Sequence, residues 1–119
     1  MMSHSKIVEL IHYKEVPSNP KTSINLPLVV WKQTIVHEGL EEPTLEQLRE
    51  WVGGHIELIW VEYKGRECMA IINEEGKLDD LPLNIAATNM YHESLSSRGL
   101  AVSDVIVGNC AIMTNFELS

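Results

Sequence analysis

Two residues, Lys64-Gly65, separate two runs rich in strand formers. His55–Tyr63 holds Ile, Leu, Trp and Val, and Arg66–Asn73 returns through Cys68, Met69, Ile71 and Ile72. So short a link cannot carry a crossover, so the two runs must pair antiparallel, as a hairpin. The remaining elements have to be built around that sheet. Lys6–His12 reads as a short strand through Ile7, Leu10 and Ile11. Tyr13–Pro27, with Pro17, Ser18, Asn19, Pro20 and Pro27, has the composition of a loop. At about 15 residues it is longer than most connections. Leu28–His37 is strongly β-like, with Val29, Val30, Trp31, Thr34, Ile35 and Val36.

The first helix has a start and a stop. Thr44 followed by Gln47 makes a capping box, and Pro43 and Leu48 stand at the positions of a hydrophobic staple. Leu45, Leu48 and Val52 recur on one face, and Gly53-Gly54 ends the helix. After a turn at Glu74-Glu75-Gly76, Asn84 can cap a second helix running to about Ser97. Its apolar stripe is Ala87, Met90, Tyr91 and Leu95. Asp104–Val107 and Cys110–Thr114 flank Gly108-Asn109, a pair suited to a two-residue hairpin turn. The pattern predicts the order β-β-α-β-β-α-β-β. That is an α+β domain with a mainly antiparallel sheet and two helices on one face.

The chain has 119 residues, the size of one domain, so a single domain over 1–119 is expected. Nine Lys and Arg stand against seventeen Asp and Glu, a formal charge of −8. Proteins that grip a nucleic-acid backbone neutralise phosphates with clusters of Lys and Arg. Here no two basic residues are adjacent, so no nucleic-acid partner is expected. Met1–Lys6 lacks the charged start and apolar run of a signal peptide. Apolar stretches such as Leu26–Trp31 and Val105–Val107 fall far short of the roughly 20 residues that span a bilayer. Cys68 and Cys110 are too few for a disulfide framework and sit in apolar runs, which predicts buried thiols and a cytoplasmic location.

Four pieces of sequence, taken in order, carry a resemblance. They are Trp51-Val52-Gly53-Gly54-His55-Ile56-Glu57; Asn73-Glu74-Glu75-Gly76-Lys77-Leu78; Leu81-Pro82-Leu83-Asn84 with Ala87-Thr88; and Asp104-Val105-Ile106-Val107-Gly108-Asn109. Together they resemble the family catalogued as domain of unknown function 3846, over roughly Leu45 to Thr114. That family occurs largely in bacteriophages and mobile elements. The resemblance implies a fold and a phage-like setting, in the cytoplasm of a bacterial host, and no particular reaction. Accessory proteins in that setting often counter host defence.

Several motifs have plain structural readings. Gly53-Gly54 follows a helix, whereas a phosphate loop precedes one. Asn73 to Asp80 lacks the alternating acids of a calcium loop. No two histidines have the i, i+4 spacing of a zinc site, no Cys-x-x-Cys pair is present, and no cofactor is expected. His55 and Glu57 would share one strand face, but no nucleophile elbow or activated cysteine accompanies them, so a non-enzymatic role is expected.

Two binding readings follow. In the first, Asn73, Asn84 and Thr88 form a pocket for a small anionic, nucleotide-like ligand at the start of the second helix. Arg66 and His92 would supply added donors. In the second, a host protein is covered through the acids Glu42, Glu46 and Glu50 together with Trp31 and Trp60. Trp is enriched at interfaces, and Trp31 and Trp60 also predict a homo-oligomer.

Overall fold

Five strands make one sheet in the computed structural model, which describes residues 5–16, 28–78, 80–100 and 104–114. The strands are β1 (Lys6–Val16), β2 (Leu28–Gly39), β3 (Ile56–Tyr63), β4 (Arg66–Asn73) and β5 (Cys110–Met113). The helices are α1 (Leu45–Val52) and α2 (Ile85–Ser96). Across the sheet the order is β2-β1-β5-β4-β3, with every neighbouring pair antiparallel. The α+β class is the one the sequence predicts. Lys64 and Gly65 adopt φ of 52° and 75°, both positive, as a tight turn matched to strand twist requires.

Three features depart from the sequence reading. First, β1 runs on to Val16, and its pairs Tyr13↔Trp31 and Val16↔Leu28 extend the β1–β2 ribbon into the stretch read as loop. Residues 17–27 lie outside the described residues. Second, the helices cover opposite faces of the sheet. Met69 and Ile71 of β4 pack with Leu48 and Val52 of α1, whereas Cys68 and Ala70 pack with Ala87 and Met90 of α2. Consecutive strand residues point to opposite faces, so both faces of β4 are apolar and each needs a cover. Third, Gly108-Asn109 is not a hairpin. Both edges of β5 are taken, by β1 and β4, so 104–107 cannot pair beside it. Val107 makes one isolated bridge to Leu83 instead.

Burial follows this arrangement. All four residues of β5 are buried, and Ile71 of β4 is fully so. Each buried aliphatic side chain of this size contributes roughly 1.5–3 kcal/mol. Both thiols are free and buried, as expected. Burial alone pushes the Cys110 thiol up to about 12. In α1 the Thr44–Gln47 capping box is present and Gly53 closes the helix at φ 82°. Leu48 and Val52 turn inward, but Leu45 stays half exposed. No described helix is long and apolar enough to cross a membrane.

Candidate functional site

Helix α2 uses one face to hold the strand-like segment 104–108. Asn84, its N-cap, accepts from the Ala87 N–H through Oδ1 at 2.9 Å and donates from Nδ2 to the Gly108 carbonyl at 2.9 Å. One turn later the Thr88 hydroxyl accepts from the Ile106 N–H at 2.9 Å and donates to the Ile106 carbonyl at 3.2 Å. One turn further, His92 Nε2 meets the Asp104 carbonyl at 2.5 Å, so that nitrogen carries the proton. Positions 84, 88 and 92 are neighbours on one helix face, which is why a single helix can grip three successive points of an extended chain. Gly108 closes the segment at φ +75°, where an added Cβ would lie 2.7 Å from Leu81 Cδ1.

The segment held in this way forms one wall of a cleft of about 340 Å³. Tyr91 of α2, Ile59 of β3, Ile72 of β4 and Val105–Val107 give it apolar sides. Glu57, Glu74, Asp104, Lys77 and Asn73 give it a polar rim. Lys77 Nζ is hydrogen-bonded to Asp104 Oδ1. That ammonium, joined by the Val105 N–H at 2.9 Å, holds the Asp104 carboxyl below the usual range. The Lys77 and Asp104 charges therefore offset each other. Glu57 and Glu74 line the same cleft with no ion pair among the described residues. The site carries an excess of negative charge over an apolar body.

The residues expected to bind an anion are dispersed or engaged. Asn84 and Thr88 are buried, and their polar atoms are satisfied inside the fold. Asn73 is buried as well; it accepts from the Glu75 N–H at 2.9 Å and donates to the Val52 carbonyl at 3.4 Å. His92 anchors the wall, and of the five expected anion ligands only Asn73 lines the cleft. Arg66 is at the far end of β4, seven residues from Asn73, or about 23 Å along the strand. His55 precedes β3, and no hydrogen bond joins it to Glu57.

The residues expected at a partner face are also divided. Trp31 lies on β2, packs with the α2-side core and sits 5.2 Å from the Tyr13 ring, centroid to centroid. Trp60 lies on β3, the opposite edge of the sheet, and on the other face. The fold thus separates the two by the full width of the sheet. Glu46 and Glu50 are exposed on α1, and Glu42 pairs with Lys6 at 3.7 Å.

Glu74, Lys77, Tyr91 and Asp104 were not singled out from the sequence as site residues. A signal for three of them existed. Glu57, Asn73-Glu74 with Lys77, and Asp104–Val107 belong to three of the four pieces that carry the family resemblance, and the fold brings those distant pieces to one cleft.

Fold and cleft together define a small antiparallel α+β domain with a ligand-sized acidic hollow beside its second helix. The family model described as Domain of unknown function (DUF3846) matches residues 28–117, and the chain belongs to that family. The match begins upstream of Leu45 and takes in all of β2. No curated protein and no solved structure matches the chain.

Proposed function

We propose that this protein is a non-enzymatic binding module whose cleft takes a cationic group with an apolar stem, such as an Arg or Lys side chain of a partner protein. The observation that carries this reading is the pairing of Glu57 and Glu74, which form no ion pair among the described residues, with apolar walls. Long basic side chains bury their methylenes against such walls while the charged head reaches carboxylates. The Tyr91 ring adds a surface that attracts a cation. The phage or mobile-element setting that the family resemblance implies would make the partner a host protein and the outcome a block on host defence. A nucleotide-like anion would face Glu57, Glu74 and Asp104 with only Lys77 to oppose them, so the geometry favours the cationic occupant.

Thermal melts with capped Arg and Lys peptides, and in parallel with mono-, di- and cyclic nucleotides, test this reading. The basic peptides are expected to stabilise the fold, by about 2.7 kcal/mol at a hundredfold excess over Kd. Glu57→Gln with Glu74→Gln is expected to abolish that shift while leaving the unliganded melt nearly unchanged. Stabilisation by a nucleotide, with none by the basic peptides, overturns the cationic reading and restores the anionic one.

A further inference from the structure

The opposite face of β3 presents a second, unrelated surface. Side chains alternate along the strand, and Ile56 packs on the α1 side, so Leu58 and Trp60 project to that side as well. Leu58 is 41% and Trp60 44% exposed, at the edge of the sheet. Trp60 shares an open hollow of about 300 Å³ with Glu67 and Arg98. In the strand register Glu67 stands directly across from Glu62, an unfavourable juxtaposition of like charges. Glu62 accepts a hydrogen bond from the Ser97 hydroxyl at 3.1 Å. Neither Glu67 nor Arg98 forms an ion pair among the described residues. One hollow therefore holds an exposed indole together with one acid and one base.

We infer that this surface is the contact between two copies of the chain. A two-fold interface is made of the same patch on both sides, so it must complement itself. A wholly acidic patch would repel its copy and require a basic partner. This patch carries both signs around an apolar centre, so the Arg98 of one copy can meet the Glu67 and Glu62 of the other while the two Trp60 rings close the middle. Trp and Arg are also the residues enriched at interface centres. The other edge of the sheet is guarded: the β1–β2 register shifts between Val8 and Glu9, and such a bulge discourages edge-to-edge pairing. The cleft beside α2 is lined by none of these residues, so the inference stands apart from the proposed function.

Sedimentation velocity over a range from low to high micromolar tests it, with circular dichroism to confirm that each variant is folded. The wild type is expected to reach a dimer and go no further. Glu67→Arg alone and Arg98→Glu alone should each weaken dimerisation by roughly a hundredfold, because like charges then face each other across the contact. An equimolar mixture of the two variants should recover a heterodimer, since both of its ion pairs are then opposite in sign. A monomeric wild type overturns the inference and leaves a foreign protein as the occupant. So does association that neither reversal weakens, or a mixture that fails to recover.

Discussion

The Thr88 hydroxyl takes the place of a neighbouring strand for Ile106, receiving its N–H and reaching its carbonyl. Ile106 is 2% exposed, so water cannot replace the lost partner of its N–H. Thr88→Val keeps the shape and removes the acceptor, and an unsatisfied buried N–H costs about 1–3 kcal/mol. Urea denaturation is expected to show a loss in that range for Thr88→Val and a much smaller one for Thr88→Ser. Equal losses would mean that the methyl packing, not the hydroxyl, holds the segment. Asn84 is legible as a cap because capping uses a fixed residue type just before a helix. Thr88 is not legible as a brace. Its partner lies 18 positions away, and nothing local distinguishes a threonine turned inward from one turned to solvent.

Strands β1, β2 and β3 are tied by a polar cluster over the α2 side of the sheet. Glu9 accepts from the Tyr63 hydroxyl at 2.9 Å and from Gln33 Nε2, and Lys64 Nζ lies 3.6 Å from its other oxygen. Burial by itself would raise the Glu9 carboxyl, but these hydrogen bonds and the Lys64 charge outweigh it and hold the group below its ordinary 4.5. A carboxyl held low in the folded state adds stability above its ordinary value and loses it as pH falls through the lowered one. The stability gap between wild type and Glu9→Gln, measured by urea denaturation, is therefore expected to be widest near neutrality. It should close as the solution is acidified below 4.5. A gap independent of pH would show that the charge of Glu9 contributes nothing.

The same elements show where sequence reading reaches its limit. The capping box of α1 and the Lys64-Gly65 hairpin depend on short fixed spacings and are legible. The opposite placement of the two helices depends on reading Cys68–Ile72 and Cys110–Met113 as unbroken apolar runs that need cover on both faces. The expected hairpin at Gly108-Asn109 fails for a non-local reason. Asn109 uses its side chain to bind the Trp51 carbonyl at 2.9 Å, and the edges of β5 are already occupied by strands from distant parts of the chain.

For the whole molecule the position of β5 matters most, and its consequence is one of time. β5 is the last described strand in chain order, yet it is the middle strand of the sheet. The ribbons β1–β2 and β3–β4 share no strand pairing until it slots between them. Ile7 and Thr114, bonded at this seam, are 107 positions apart. Closing a loop of that length costs about 4 kcal/mol of chain entropy before any contact offsets it. The insertion of β5 should therefore lie on the folding barrier, and the chain should fold slowly for its size. Ile112→Val is expected to cost about 1 kcal/mol, and stopped-flow refolding should show most of that as a slower folding rate. A change confined to the unfolding rate would place the insertion after the barrier. On the ribosome, the same geometry means that the first hairpins wait unfinished, their inner edges open, until residues 110–113 have been synthesised.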